Sequence, residues 1–342
     1  MRRHLSIAVG LLALGAAAAV AQEPEVTLTV HHFIGPKAPT QAAFIEPLAR
    51  RIEEQSNGRI KIEIYPSMAL GGAPPELYRQ ARDDVADIVW TLIGYTPGVF
   101  PRSEVFELPT VHRGSARATS LAIQEIFDQI AADYEDVHPL LIYVHAGQAI
   151  HMVDKPIHSV DDLAGLKIRI PSRTGAMLIE AWGAQPVGMP VPEVPQALSK
   201  GVVDGALLPY EIVLPLKVHE LTKYSIEGPN GRRFGTSVFA FLMNKERYES
   251  LPDDLRAIID ANSGAAIAEE IGAIWDQVEK PGKDATIASG SEMIVLDESA
   301  MAAFDERSEQ VTARWIEEVT AQGIDGQALV EAARAAVAKY SE

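Results

Sequence analysis

The sequence predicts a fold of two α/β lobes with a hinged cleft between them. Strand-like segments alternate with helix-like segments along most of the chain. This order is typical of largely parallel sheets that are covered by helices. A strand-like segment at 237–244 is predicted to return to the first sheet, so the chain would cross between the lobes near residues 147 and 235. Two chain segments that cross between the lobes at the same place are expected to form a hinge.

The first 21 residues are predicted to be a secretory signal peptide. Arg2 and Arg3 precede an apolar run from Leu5 to Val20, and the small residues around Ala21 suit a cleavage site. The alternative, a membrane anchor, is disfavoured because the run is short and rich in Ala and Gly. We therefore expect an exported protein. Cleavage would leave about 320 residues, more than one core usually serves, which favours two lobes.

The composition excludes several classes of protein. The chain has 47 acidic and 30 basic residues, and loss of Arg2 and Arg3 with the leader changes its formal charge from −17 to −19. Nucleic acids and anionic membranes are bound by basic surfaces, so neither is an expected partner. The absence of cysteine excludes disulfides and thiolate metal sites. The core alone must hold the fold together.

The first lobe is predicted from residues 22–147 and about 235–280. Strands are expected at 26–33 and 60–65, on either side of a helix in which Pro47 should introduce a bend. The remaining elements are helices at about 75–84 and 115–135, which lead into the strands "ADIVWTL" and "LLIYVHA".

The second lobe is predicted from about 148–234 and 285–300. Strands are expected in "GLKIRIP", "QPVGMP" and "VVDGALLP", with helices at about 174–182 and 192–200 between them. Amphipathic helices are predicted in much of 253–278 and 301–339, and residues 301–342 are expected to pack on the two lobes.

Motifs for catalysis are missing from the sequence. There is no G-x-S-x-G elbow, P-loop, H-E-x-x-H sequence or Cys nucleophile. His31 and His32 are adjacent, but neighbours on a strand point to opposite faces and cannot bind one metal. We therefore expect no enzyme activity, cofactor or metal. A remote alternative is a hydrolase or lyase that uses His151 with Glu211.

Arg169 is the strongest candidate for a binding residue. It alternates with Ile168 and Ile170 in a short strand that Pro171 ends, so it lies at the carboxyl end of the strand. In open α/β sheets this end faces the ligand crevice. A guanidinium there can hold a carboxylate through two parallel hydrogen bonds. A structural ion pair with one of the many acidic residues is an equal alternative.

Long motifs in order along the chain resemble one family. They are "RIEEQSNGRIKIEIYPSMALGG", "ADIVWTL", "VFELP", "KPIHSVDDLAGLKIRIP", "WGAQPVGMPVPEVPQALSKGVVDGALLP" and "LPDDLRAII". The sequence resembles the substrate-binding proteins of TRAP transporters (the DctP family). The resemblance implies a type II-like periplasmic binding protein that closes on a small organic acid and delivers it to a membrane permease of small and large subunits. It also implies that Arg169 clamps the carboxylate of that acid.

Departures from the family pattern suggest the kind of acid. Where the family commonly has Asn, this chain has Leu208, and a family aromatic is replaced by Val191. The positions of a Glu and a second Arg that contact ligand in sialic-acid-binding relatives fall on Leu92 and Ala149. A pocket with one anion anchor and apolar walls suits a hydrophobic or aromatic monocarboxylate.

Aromatic and polar residues near these positions complete the predicted site. Phe33, Trp90, Tyr95 and Tyr210 could pack against the acid, although each could equally belong to the core. His151, Tyr210 and Glu211 could bond a second polar group of the ligand or lie at the hinge or rim. A dicarboxylate, a 2-oxo or 2-hydroxy acid, and a receptor coupled to a sensor kinase remain alternatives.

Overall fold

In the computed structural model, which describes residues 23–341, the strands form two separate sheets. The predicted signal peptide at 1–21 lies outside the described residues. The strands are β1 (Val26–His32), β2 (Ile60–Tyr65), β3 (Ile88–Leu92), β4 (Val137–Val144), β5 (Ala149–Met152), β6 (Lys167–Ile170), β7 (Gln185–Gly188), β8 (Gly205–Leu208), β9 (Tyr224–Glu227), β10 (Val238–Asn244) and β11 (Glu292–Val295).

The first sheet has the strand order β2-β1-β3-β10-β4. β1 is parallel to both β2 and β3, whereas β10 is antiparallel to β3 and β4. β10 comes from late in the chain and lies between two early strands, as the sequence predicts. The alternation in β2 buries Ile60 and Ile62 and exposes Lys61 and Glu63, so one face of this edge strand meets the core.

The second sheet has the order β11-β9-β5-β8-β6-β7. β6 is parallel to β7 and β8, whereas β5 is antiparallel to β8 and β9. β11 pairs parallel with β9 at the outer edge. The sheet is therefore built from residues 149–227 together with 292–295, and its central strands are buried almost throughout.

Helices cover both sheets and the two ends of the cleft. They are α1 (Glu46–Gln55), α2 (Leu77–Arg82), α3 (Ala116–Glu125), α4 (Phe127–Ile130), α5 (Arg173–Ala181), α6 (Val194–Ser199), α7 (Lys245–Glu249), α8 (Asp253–Ala261), α9 (Ala268–Ala288), α10 (Glu298–Thr320) and α11 (Gly326–Tyr340). Within 23–341 no helix is both long enough and apolar enough to cross a membrane.

The helix predicted around Pro47 is divided into two segments. Thr40–Ile45 winds as a wider, π-type turn, and α1 begins at Glu46. The backbone stays helical from Ile45 to Glu46, so the two segments are continuous and Pro47 follows the wider turn directly. The wider winding next to Pro47 accommodates a residue that cannot donate a backbone hydrogen bond.

Helix α9 joins the two lobes. It packs on α3 of the first lobe and on the turn after β8 in the second lobe. At Gly282 the approach is so close that a Cβ would lie 1.8 Å from the backbone oxygen of Tyr210. A glycine is therefore required there. The two last helices divide between the lobes, because α10 packs on α5 and α11 packs on α3.

The chain crosses between the sheets three times: after β4, after β9 and before β11. The first two crossings run side by side. The amide of Gln148 donates to the carbonyl of Gly235 over 2.9 Å, and the amide of Phe234 donates to the carbonyl of Gln148 over 2.8 Å. These two crossings lie where the sequence predicts the hinge.

Candidate functional site

A cavity lies between the two lobes, at the ends of strands from both sheets. Eight of the ten residues predicted for the site line it: Phe33, Trp90, Leu92, Tyr95, Arg169, Val191, Leu208 and Glu211. The first four come from the first lobe and the last four from the second. A molecule held in this cavity would therefore touch both lobes.

Arg169 is fixed by backbone carbonyls. Its Nε and Nη2 donate to the carbonyl oxygen of Met189 over 3.1 and 2.9 Å, and its Nη1 donates to the carbonyl of Leu207 over 3.1 Å. These bonds use three of the five N–H groups of the guanidinium. The Tyr95 hydroxyl also hydrogen-bonds the guanidinium. N–H groups that remain on the terminal nitrogens can bind a carboxylate.

Arg169 forms no ion pair with a carboxylate of the described chain. The side chain is only 2% exposed, and burial lowers the pKa of its guanidinium. A buried cation without a counter-charge is costly unless an anion joins it. The structural ion pair that was the alternative at the sequence level is therefore not formed within residues 23–341.

The first lobe contributes an aromatic wall to the cavity. The ring of Phe33 lies 4.8 Å from that of Trp90 and 5.4 Å from that of Tyr95, and Trp90 lies 4.9 Å from Phe239. The indole nitrogen of Trp90 donates to the hydroxyl of Tyr143 over 2.8 Å, which fixes the orientation of the ring. The rings thus form a fixed apolar surface that can pack a flat ligand.

The aliphatic substitutions noted in the sequence also lie at the cavity. Leu92 and Leu208 end β3 and β8, and Val191 follows β7. Ala149 does not line the cavity, although its neighbour Gln148 does. The removal of polar groups at three of the four positions leaves the walls mainly apolar.

The two lobes meet across the cleft beside this cavity. The amide of Val191 donates to the hydroxyl of Tyr95 over 2.8 Å. At Gly94, a Cβ would lie 2.5 Å from the Cβ of Ser172 and 2.8 Å from the carbonyl oxygen of Pro171. The two lobes therefore lie so close together at Gly94 that no side chain could fit between them.

A second contact between the lobes lies at the "VFELP" motif. Glu104 pairs with Arg173 at the start of α5, and the hydroxyl of Thr174 donates to Glu107 over 2.6 Å. The second carboxyl oxygen of Glu107 accepts from the amide of Val238 over 3.0 Å. Burial raises the pKa of Glu107 to about 7. This motif links β10 of the first lobe to α5 of the second.

His151 and Tyr210 do not line the cavity, which corrects their prediction as ligand contacts. His151 lies in the same row of the sheet as Arg169, with Ala206 between them. Its two ring nitrogens bond to the hydroxyl of Ser225 over 2.9 Å and to the carbonyl of Leu208 over 3.2 Å. Burial lowers the pKa of His151 to about 4. The ring is a neutral part of the core.

The ring of Tyr210 is turned away from the cavity towards neighbouring charged residues. The guanidinium of Arg233 lies 4.8 Å from its centroid, and the edge of the His151 ring lies against it with centroids 5.2 Å apart. The side chain is fully buried beneath α9. Because His151 bonds to Ser225 and Leu208, the catalytic pairing of His151 with Glu211 is not formed either.

Glu211 lines the cavity as predicted and is strongly perturbed. Its backbone amide donates to Oε1 of Glu279 over 2.9 Å, while its own Oε2 has no partner in the described chain. Burial, and then the charge of Glu279, raise the pKa of Glu211 well above its ordinary value. Burial also raises the pKa of Glu279 to about 7, although Arg233 approaches it at 3.5 Å. Burial and the acidic neighbour both favour the neutral form of the Glu211 carboxyl at the cavity wall.

Sequence reasoning missed several lining residues, including Gln148, His145 and Ser237. Nε2 of Gln148 donates to the hydroxyl of Ser237 over 3.0 Å, and Nε2 of His145 accepts from the amide of Ser237 over 3.0 Å. These residues lie on the two adjacent crossings between the lobes. No motif marks them, since the pairing of the crossings is visible only in three dimensions. Among the residues that the structure describes, no cluster of His, Cys, Asp and Glu could hold a metal.

Comparisons with known proteins agree with this geometry. The model of the family described as bacterial extracellular solute-binding protein, family 7, matches residues 30–318. The curated C4-dicarboxylate-binding periplasmic protein DctP of Rhodobacter capsulatus is 28% identical over 339 residues, which is 98% of this chain and 99% of that protein.

Two solved structures are more similar in sequence. A marine metagenome TRAP solute binding protein specific for aromatic acid ligands, from an unidentified microbe, is 43% identical with a TM-score of 0.91, over 94% of this chain and 100% of that chain. It was crystallised with 3-hydroxybenzoate, and a surface mutant of it with metahydroxyphenylacetate. A TRAP solute binding protein from Rhodoferax ferrireducens T118, with copurified benzoate, is 40% identical with a TM-score of 0.89, over 92% and 98% of the two chains.

Proposed function

The chain belongs to the bacterial extracellular solute-binding protein family 7, and from this premise we propose that it captures an aromatic monocarboxylate in the periplasm for a TRAP transporter. The family predicted from the sequence motifs is thereby confirmed. Its members act as receptors and not as enzymes. The receptor would release the acid to a membrane permease of small and large subunits.

The observation that carries the proposal is the unpaired guanidinium of Arg169. It is buried, held by the carbonyls of Met189 and Leu207, and faces a cavity without any carboxylate partner. A ligand carboxylate would supply the missing charge through the N–H groups that remain on the two terminal nitrogens. The acid would therefore enter with its carboxylate towards the second lobe.

The aromatic wall supports the choice of an aromatic body. Phe33, Trp90 and Phe239 present ring faces and edges to the cavity, and Leu92 and Leu208 complete an apolar lining. Burial of a phenyl ring at ~25 cal/mol per Å² of apolar surface supplies several kcal/mol beyond the Arg169 clamp. The bound aromatic acids of the two solved relatives at 40% identity or more support the same class.

A dicarboxylate is the second candidate, because one curated relative binds C4-dicarboxylates. The cavity gives it less support. Arg233, a basic residue near Glu279, already pairs with Glu227 and approaches Glu279 at 3.5 Å. A second ligand carboxylate would lie buried without a cation, which is costly to desolvate.

A direct affinity series tests the proposal. We expect benzoate, phenylacetate and 3-hydroxybenzoate to bind the purified mature protein at least tenfold more tightly than succinate, a branched aliphatic acid and sialic acid. Isothermal titration gives the affinities, and the rise in melting temperature gives an independent ranking, because a ligand that binds only the folded state stabilises it. Tighter binding of succinate or sialic acid would contradict the aromatic assignment.

A further inference from the structure

Two buried polar side chains at the cavity wall have an atom without a partner in residues 23–341. One is Gln148, whose Oε1 is unpaired while its Nε2 bonds to Ser237. The other is Glu211, whose Oε2 is unpaired. They are 4% and 7% exposed, respectively. Buried polar groups in native proteins are almost always hydrogen-bonded, and these two atoms belong to residues of the cavity wall, where polar groups of a ligand could bond them.

Glu211 is not paired with the anion anchor. No ion pair within the described chain joins Glu211 to Arg169, and the acidic neighbour that perturbs Glu211 is Glu279 on α9. Arg169 is held by Met189 and Leu207 and lies beside Tyr95. The cavity therefore has one position for a carboxylate and a separate position for a second, uncharged polar group.

We propose that Glu211 hydrogen-bonds a hydroxyl group on the ring of the bound acid, so that the receptor selects hydroxylated aromatic acids over unsubstituted ones. This inference rests on the proposed binding of aromatic monocarboxylates and names the subclass. Glu211 would be a specificity-determining residue that touches the ligand, while Arg169 supplies the common anchor.

The chemistry of the Glu211 carboxyl fits a hydroxyl. Burial and the charge of Glu279 raise the pKa of Glu211 and so favour the protonated form of its carboxyl. A protonated carboxyl both donates and accepts a hydrogen bond, as a phenolic hydroxyl does. A second carboxylate of a ligand would instead meet the acidic pair of Glu211 and Glu279 without a free cation. The hydroxylated ligands of the marine relative, 3-hydroxybenzoate and metahydroxyphenylacetate, are of this subclass.

Unsubstituted acids would leave Glu211 unpaired in the closed cavity. An unmade hydrogen bond at a buried group weakens binding, so we expect the preferred hydroxylated acid to bind on the order of tenfold more tightly than benzoate. The Glu211→Leu variant lacks this polar group. The affinity of the variant for benzoate should therefore equal or exceed that of the wild type, and its preference for the hydroxylated acid should disappear.

The experiment is a set of isothermal titrations of the mature protein with benzoate and with 2-, 3- and 4-hydroxybenzoate. The variants are Glu211→Leu, Glu211→Gln, which keeps a neutral polar group, and the exposed Glu292→Gln as a matched control. We expect Glu211→Gln to retain part of the preference and Glu292→Gln to retain all of it. Glu211→Met, which keeps the length of the side chain, replaces the Leu variant if that variant does not fold.

The outcomes separate this inference from the proposed function. Equal affinity of the wild type for benzoate and all three hydroxybenzoates would overturn the role of Glu211 and leave aromatic acid binding intact. A preference that persists unchanged in Glu211→Leu or Glu211→Met would do the same. Failure of the wild type to bind any of the four acids would overturn the proposed function itself.

Discussion

The hydroxyl of Tyr95, in the first lobe, accepts a hydrogen bond of 2.8 Å from the backbone amide of Val191, in the second lobe. The same tyrosine lines the cavity, and its ring lies 5.4 Å from that of Phe33. One side chain therefore forms part of the wall and part of the contact that closes the cleft. Closure of the lobes and completion of the cavity are a single event.

Removal of this hydroxyl should weaken closure without changing the wall. In Tyr95→Phe the ring remains, but the amide of Val191 loses its partner. A neutral hydrogen bond contributes about 0.5–1.5 kcal/mol, so the affinity for benzoate should fall roughly threefold to tenfold. Titration calorimetry measures this, with Tyr65→Phe as the control, because Tyr65 is half-buried and its hydroxyl bonds to Glu63 away from the cleft. Equal losses in both variants would show that the cross-cleft bond contributes nothing.

A side chain introduced at position 94 should impair closure of the cleft and leave the stability of the lobes unchanged. The Cβ of Gly94→Ala would lie 2.8 Å from the carbonyl oxygen of Pro171, so the lobes could not approach fully. Because each lobe keeps its own core, the melting temperature without ligand should change little, while ligand affinity falls at least tenfold. Small-angle scattering should show less compaction on addition of benzoate than in the wild type.

The matched control is Gly35→Ala, since a Cβ at Gly35 has open space around it. This variant should bind and compact as the wild type does. Normal compaction in Gly94→Ala would mean that the loop after β3 can move aside, contrary to the contact with Pro171 and Ser172.

Arg169 should be indispensable for binding. Arg169→Ala removes the charge-assisted pair with the ligand carboxylate, at a cost of about 2–5 kcal/mol in binding free energy. Arg169→Lys should recover only part of this, because an ammonium cannot bridge a carboxylate as a guanidinium does. Circular dichroism should show both variants folded, and the exposed Arg314→Ala serves as control. Near-native affinity in Arg169→Ala would exclude Arg169 as the anchor.

Stability without ligand should fall as the pH rises, partly through Glu107. Burial raises its pKa in the folded protein to about 7, above its value in the unfolded chain. The folded state thus holds the proton more tightly, and this contribution is complete below about pH 4.5 and lost as the pH passes through about 7. We expect urea unfolding to show a decrease on the order of 1–3 kcal/mol from this group between pH 5 and 8.

Glu107→Gln should reduce this slope. It should not abolish it, because the pKa values of Glu211 and Glu279 are also raised by burial and their protons are lost at rising pH as well. An unchanged slope in the variant would mean that Glu107 ionises normally in the folded protein.

The sequence could predict most of the site because strand ends converge. Arg169, Leu92 and Leu208 each lie at or near the carboxyl end of a strand, and in α/β sheets these ends meet at the crevice. The period of the strand also places Arg169 on one defined face. Local pattern was sufficient for Arg169, whereas Leu92 and Leu208 were identified through the family resemblance.

His151 shows where local pattern fails. It lies in the same row of paired residues across the second sheet as Arg169. Its ring is nevertheless hydrogen-bonded to Ser225, which lies 74 residues further along the chain. Only the pairing of β5 with β9 reveals that partner. Local pattern fails for Gln148 for a related reason, because Gln148 reaches the cavity through the pairing of two chain crossings that are far apart in sequence.

The three crossings of the chain have a consequence for how new ligand preferences arise. Each lobe is assembled from separate stretches of the gene, and the helix through Gly282 ties one to the other. A single crossover in recombination therefore divides at least one lobe, so the two whole lobes cannot be exchanged between paralogues by one such event. Substitutions on the cavity wall, as at Leu92, Val191 and Leu208, change the lining and leave this scaffold intact.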